Sequence, residues 1–250
     1  MAVVIYGIPG IPIVGVGDDI AEVIVASARK ASLSIEEGDI IAVSHTIVSR
    51  SEGMQMDLRS VTPSPEAERL ARALGKDPRH VEVILRESHR ILRAERGVLI
   101  CETRHGLICA NAGVDASNSG GENFVVALPH DPDYSAARIR DGIKRLTGKN
   151  VAVIICDTFG RPFRRGTVNV AIGCSGINPL WDRRGEKDMF GRTLISKITC
   201  VADELASAAE LVMGQADEGL PVAIIRGYKY DPADVPARDI IRSPDENLFK

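Results

Sequence analysis

Several features are missing from this 250-residue chain, and each absence removes a class of protein. No apolar run approaches the roughly 20 residues that a helix needs to cross a bilayer, so a membrane-spanning chain is not expected. The first residues, Met1-Ala2-Val3-Val4-Ile5-Tyr6, carry no basic stretch, and no secretory leader is expected. Five cysteines, at 101, 109, 156, 174 and 200, form no Cys-x-x-Cys pair. Structural zinc and a disulfide framework are therefore disfavoured, and buried free thiols in a reducing cytoplasm are expected. A formal net charge of -3 argues against a nucleic-acid binder that relies on a basic surface. No Gly-x-Ser-x-Gly elbow is present, and no cysteine sits in an exposed polar setting, so nucleophilic catalysis by the protein has little support.

What is present describes a globular protein. Hydrophobic residues make up 44% and charged residues 26%, enough for a real core in one large domain or two lobes. A short strand at 3–6 runs into a Gly- and Pro-rich loop over 7–17. Asp18 or Asp19 then caps a helix with Ile20, Val23, Ile24 and Ala28 on one face. A glycine-rich loop before a capped helix can hold an anion, but neither the dinucleotide nor the Walker spacing is there. Residues 39–48 read as a buried strand whose end turns polar at Ser44, His45, Thr46, Ser49 and Arg50. Helices are expected from Ser64-Pro65 to Gly75, and from Asp77-Pro78 to near Ser88. An antiparallel meander over 90–94, 97–103 and 106–114 follows, then a strand at 124–128. Asp131-Pro132 opens a helix closed by Gly148, with Ala136, Ile139, Ile143 and Leu146 on one face. Gly142, Gly148, Lys149 and Asn150 imitate a P-loop, but the spacing is wrong and Asn150 replaces the magnesium-binding hydroxyl, so that reading is rejected.

Two stretches carry the chemistry. In the first, 107–118, an apolar half reads as a buried strand. The second half sets Asn111, Asp115, Ser117 and Asn118 among glycine and alanine. A carboxylate leaving an apolar strand is costly to desolvate unless something such as a hard cation compensates it; an ordinary polar turn is the alternative. The second stretch repeats the pattern. An apolar strand over 151–156 ends at Asp157 and Thr158, and a loop to Gly166 carries Arg161, Arg164 and Arg165. Arginine pairs with phosphates and carboxylates, though an internal salt-bridge network would look the same. Two Asp residues at strand ends form a hard-oxygen set suited to Mg²⁺ or Mn²⁺, and metal-assisted phosphoryl chemistry is the reading that remains. Beyond lie a strand at 167–172, a turn-rich stretch at 173–178, and a charged excursion over 181–191, near the site or at a dimer contact. An Ala-rich helix at 199–212, a polar Gly-bracketed segment from Met213 to Gly219, a strand at 220–226 and a Pro- and Asp-rich tail from Asp231 complete the chain.

These motifs resemble a known family. The run from Thr103 to Asn118 (TRHGLICANAGVDASN) and the run from Asp157 to Arg164 (DTFGRPFR) look like the two signatures of the coenzyme F-420:L-glutamate ligases in their stand-alone archaeal form. Gly17-Asp18-Asp19 and the stretch from Ile47 to Gly53 match the family's N-terminal pattern. The resemblance implies a GTP- and metal-dependent ligase that adds L-glutamate to the deazaflavin precursor F-420-0 through an acyl phosphate, forming gamma-glutamyl links. It implies an α+β fold of two interwoven lobes over 1–250, with mixed and antiparallel sheets, distinct from P-loop and ATP-grasp folds, in a cytoplasmic homodimer. No separate reductase domain is expected. Carried over, Asp115, Asp157, Thr158 and Gln215 would hold two divalent ions, Mg²⁺ or Mn²⁺, with a monovalent cation such as K⁺ as an option. Ile11, Pro12, Ile13 and Val14, then His45, Thr46 and Arg50, then Asn118, and finally Met213, Gly214, Gln215, Ala216, Asp217, Glu218, Gly219 and Leu220 would form the GTP site. Arg50 stands where the family suggests Lys, and the apolar 13–16 segment replaces a more polar loop, so backbone contacts must dominate there. Arg161 or Arg164 would steady the acceptor carboxylate or the acyl phosphate. A metal-dependent nucleotide phosphohydrolase and a non-catalytic GTP-binding scaffold are the alternatives.

Overall fold

Residues 2–248 are described by a computed structural model, so Met1 of the N-terminal stretch and the last two residues of the tail lie outside the described residues. The chain is a mixed α+β structure with six α-helices among those residues. A five-stranded sheet is built from β1 (Val4–Gly7), β2 (Ile40–Ser44), β3 (Ala152–Arg161), β4 (Arg164–Ser175) and β5 (Val222–Arg226). Its spatial order is β1-β5-β2-β3-β4, and every neighbouring pair is antiparallel except β2 and β3. The inner strands are continuous apolar runs because both of their faces are covered. Ile41, Val43, Val153, Ile155, Val222 and Ile224 face one core cluster, which α1 (Ile20–Lys30), α2 (His45–Ser51) and α5 (Pro132–Thr147) close. The alternate residues, Ile40, Ala42, Ile154, Ala223 and Ile225, face the Ala-rich side of α6 (Val201–Met213), where Ala202, Ala206 and Ala209 are fully buried. The small residues of the helix face let it lie close to the sheet.

Caps form where side-chain chemistry predicts them. Asp19, Ser64, Asp77 and Asp131 each accept a backbone N–H at the start of α1, α3 (Pro65–Leu74), α4 (Pro78–Glu87) and α5. Gly75 and Gly148 close α3 and α5 in the left-handed conformation. The glycine that imitated a P-loop has a packing reason: a Cβ on Gly142 would stand 2.5 Å from Ala21 Cβ, where α5 crosses α1. Helices α3 and α4 pack with the meander Ser88–Glu95, Val98–Thr103 and Ile108–Ala110 and with the pair Gln55–Asp57/Phe124–Val126 around a third core cluster.

Three expectations are corrected. The strand expected over 39–48 stops at Ser44. Ser44 is extended and caps a seven-residue helix, so His45, Thr46, Ser49 and Arg50 stand on α2 and not at a strand end. Ile47 and Val48, the β-branched pair that suggested a strand, fill the core from that helix, a case of packing overriding propensity. The meander's third strand is short, Ile108–Ala110, with Ile108 45% exposed and only Cys109 turned inward. Asn111, Ala112 and Gly113 follow it in a left-handed turn, at φ of 54°, 52° and 70°. Finally, Asp157 does not end its strand: β3 runs on to Arg161 and returns through Pro162 and Phe163 as the β3–β4 hairpin. The excursion after Leu180 is a ribbon, Leu180–Asp182 paired with Ile198–Cys200, with Met189 and Phe190 exposed beyond it. No helix among the described residues is long and apolar enough to cross a membrane.

Candidate active site

The one parallel contact in the central sheet positions the site. In register, Ser44 of β2 faces Cys156 of β3. The next residues along, His45 and Asp157, therefore stand side by side, His45 just past the end of β2 and Asp157 within β3. His45 Nε2 lies 3.3 Å from Asp157 Oδ1, and its Nδ1 lies 3.3 Å from Ser49 Oγ one turn along α2. The N–H of Thr158 donates to the same Asp157 oxygen at 2.7 Å. The Asp157 side chain is only 13% exposed. Burial pushes its carboxyl above the ordinary carboxylate range, His45 and the Thr158 N–H draw it back, and the charge of Asp115 pushes it up again. The two carboxylates singled out in sequence line one cavity.

Asp115 reaches this place from another part of the chain. Its backbone bridges to Val126 in both directions, at 2.9 and 2.8 Å, which anchors the segment leaving the left-handed turn. Ser117 holds its carboxylate through N–H and hydroxyl donors at 2.8 and 2.7 Å. Non-glycine residues in left-handed backbone are uncommon and gather at functional sites, and Asn111, Ala112 and Asn118 all adopt it beside Asp115. Asn111 Oδ1 is buried without a partner against the cavity.

Between these groups lies a cavity of about 520 Å³. Ile11, Pro12, Ile13 and Val14 form one wall, with His45, Thr46 and Arg50 beside them. Asp115, Asn118, Asp157 and Thr158 line it, as do Met213, Gly214, Gln215, Ala216, Glu218, Gly219 and Leu220. Arg50 Nε donates to the Val14 carbonyl at 3.1 Å, tying the apolar loop to α2. Asn118 Nδ2 donates to the Ala216 carbonyl at 3.2 Å, joining the Asp115 segment to the segment after α6. Gly214 allows that segment to turn away at φ 69° and ψ −174°, a conformation that is essentially glycine's alone. Asp217 does not line the cavity, and neither Arg161 nor Arg164 does. The arginines stand on the hairpin whose Phe159 and Gly160 form part of the wall, and Arg161 Nη2 donates to the Arg165 carbonyl at 2.9 Å.

Sequence reasoning missed Asn169. It is buried, lines the cavity, and pairs with Thr158 across the hairpin. Its signal was an amide inside the apolar alternation Val168-Asn169-Val170, whose meaning depends on the β3–β4 register.

The donor set is hard. Carboxylate, hydroxyl and amide oxygens face the cavity, and among the described residues no group of three or more His, Cys, Asp and Glu converges as a closed metal cage would require. Two carboxylates with neutral oxygens suit a cation that completes its shell with water and phosphate oxygens, as Mg²⁺ does. The cysteines nearby are inert: burial pushes the Cys109 and Cys156 thiols up to about 12, with the Asp157 charge adding to it.

The family model described as F420-0:Gamma-glutamyl ligase matches residues 10–227. A protein of Methanothermobacter thermautotrophicus named Coenzyme F420:L-glutamate ligase is 46% identical over 252 residues, covering 100% of both chains. Proteins of the same name from Methanopyrus kandleri and Methanocaldococcus jannaschii are 51% and 50% identical, covering 94% and 88% of this chain and 92% and 88% of their own.

Proposed function

The chain belongs to the F420-0:gamma-glutamyl ligase family, and we propose that it is a GTP-dependent ligase joining L-glutamate to the deazaflavin coenzyme precursor F420-0 and releasing GDP. The observation that carries this reading is the convergence of Asp115 and Asp157, from distant parts of the chain, on one cavity walled by the 11–14 loop and the 213–220 segment. The whole chain is read as one ligase unit acting as a homodimer.

The terminal carboxylate of the acceptor attacks the γ-phosphorus, the bond to the bridging oxygen breaks, and GDP leaves. The resulting acyl phosphate meets the glutamate amine, which loses its proton on attack and expels phosphate as the amide forms. Such chemistry asks the protein chiefly for positioning and charge neutralisation. Asp115 and Asp157 would hold a divalent ion, which would supply the charge that neutralises the transferring phosphoryl group. The 11–14 loop presents backbone groups to the nucleotide, since its apolar side chains have none to offer, and Arg50 both fixes that loop and adds a cation. Thr158 and Gln215 would hold a second divalent ion, and Asn118 positions the phosphate end. Arg161 and Arg164, on the hairpin continuing from the cavity wall, meet the acidic acceptor.

The test is the mass of the deazaflavin after incubation with the protein, GTP and Mn²⁺, with and without L-glutamate. The expected result is a mass gain of whole glutamate units that requires both GTP and glutamate. GTP breakdown with no mass gain, whether or not glutamate is present, would instead establish a phosphohydrolase, and GTP binding with no turnover would establish a binding protein.

A further inference from the structure

Asn169 sits at the centre of a directed chain of hydrogen bonds that ends at the candidate cation position. The chain starts with Cys156, whose thiol donates to the Val43 carbonyl at 3.4 Å. With its proton committed, the sulfur is an acceptor, and Asn169 Nδ2 donates to it at 3.6 Å. This fixes the amide with Oδ1 towards the cavity. Oδ1 accepts from Thr158 Oγ1 at 2.8 Å and from Gln215 Nε2 at 3.2 Å. The backbone is equally constrained: the Asn169 N–H donates to Glu210 Oε2 at 2.8 Å, and its carbonyl accepts from Ser207 Oγ at 2.7 Å, both on α6. With 3% of its surface exposed, Asn169 is held from three sides.

The consequence follows from proton counting. Thr158 has one hydroxyl proton and two acceptors, Asn169 Oδ1 and Gln215 Oε1, the latter at 2.7 Å. When the proton sits on the Asn169 side, Thr158 Oγ1 and Gln215 Oε1 are two lone-pair oxygens facing each other with nothing between them. Adjacent oxygens of an octahedral site with bonds of about 2.1 Å lie about 3 Å apart, close to this spacing. Asn169 Oδ1 already accepts two protons and has no lone pair left for a ligand.

We propose that Asn169 is a positioning residue, which draws the Thr158 proton and orients the Gln215 amide so that Thr158 Oγ1 and Gln215 Oε1 face a hard divalent cation together. This rests on the reading of Thr158 and Gln215 as a cation position in the ligase site. Outer partners of metal ligands commonly change metal affinity by about 10–100-fold when removed.

Mn²⁺ titration of the full chain, followed by electron paramagnetic resonance, tests it independently of turnover. Asn169→Leu, which removes the acceptor at similar volume, is expected to weaken Mn²⁺ binding by about 10–100-fold. Asn169→Asp, which keeps an acceptor oxygen, is expected to bind at least as tightly as the parent. In the cycle with Thr158→Val, the loss in the double variant is expected to be smaller than the sum of the two single losses, because both remove the Asn169–Thr158 contact. Unchanged Mn²⁺ affinity in Asn169→Leu, or additive losses in the cycle, would overturn the proposal. If Asn169→Leu does not fold, Asn169→Ala carries the same two readings. A parent that adds glutamate while Asn169→Leu binds Mn²⁺ normally removes the role of Asn169 and leaves the ligase reading intact. A parent that binds Mn²⁺ through Asn169 but adds no glutamate does the reverse.

Discussion

Asp157→Asn is expected to lower ligase turnover by at least about a thousandfold and, at neutral pH, to raise the melting temperature of the ligand-free protein. The loss follows from removing a carboxylate asked to hold charge beside the transferring phosphoryl group. Such stabilisation is worth several kcal/mol, and 1.36 kcal/mol is a decade of rate, so about 4 kcal/mol is at stake. The gain follows from burial, which pushes the Asp157 carboxyl above its ordinary 3.8, with Asp115 adding to it and His45 opposing. A carboxyl whose folded pKa exceeds its unfolded value binds more protons folded than unfolded between the two. Its contribution to stability is present below 3.8 and is lost as the pH rises through the folded value. The ionised carboxylate therefore destabilises the ligand-free protein at neutral pH, and an amide of the same shape does not. The stability gap between variant and parent should narrow as the pH falls towards 3.8. Mn²⁺ should raise the melting temperature of the parent more than that of the variant. Calorimetry beside a turnover assay reads all of this; an active variant, or one less stable than the parent at pH 7, would sink the account of Asp157.

Gly113→Ala is expected to cost about 2–5 kcal/mol of stability and to reduce turnover, although residue 113 carries no functional group. Gly113 sits at φ 70°, where an alanine loses about 1–2 kcal/mol. A Cβ there would also stand 2.7 to 2.9 Å from three atoms of Leu128. Leu128 is itself buried in the core cluster beneath α5, so it cannot simply swing away, and overpacking of this kind adds about 1–3 kcal/mol. For a chain of this size that is a fall of roughly 10 °C in melting temperature. Asp115 lies two residues on, so the turn and the carboxylate move together. A melting temperature within about a degree of the parent would show that the turn adapts freely.

The two carboxylates were legible in sequence because Asp115 and Asp157 each interrupt an apolar or small-residue run, and an ionisable group there needs a compensating partner. The capped helices were legible for the same local reason: Asp19, Ser64, Asp77 and Asp131 each act on the first turn of their own helix. Less legible were features decided by distant partners. His45 read as a strand end because Ile47 and Val48 favour strands, and only the core they fill makes that stretch a helix. Gly160, Pro162 and Gly166 read as a loop, yet β4 pairs with β3 as far as Arg161. Asn169 acquires its meaning from that pairing, which sets it opposite Thr158. The left-handed turn at 111–113 leaves little trace in a sequence where asparagine, alanine and glycine are each ordinary. Fold class and the two carboxylates of the candidate site are thus written locally, while the orientation of the candidate site's polar groups is written in the register of the hairpin.

Oxygen tracing offers the most direct measurement of the central claim, that one cavity couples phosphoryl transfer to amide formation. The acceptor deazaflavin is prepared with ¹⁸O in its terminal carboxylate and converted with GTP, Mn²⁺ and unlabelled L-glutamate. The account predicts one ¹⁸O atom in the released inorganic phosphate for each amide formed, because the acceptor oxygen attacks the γ-phosphorus and leaves with it. Phosphate whose new oxygen comes only from water would contradict it.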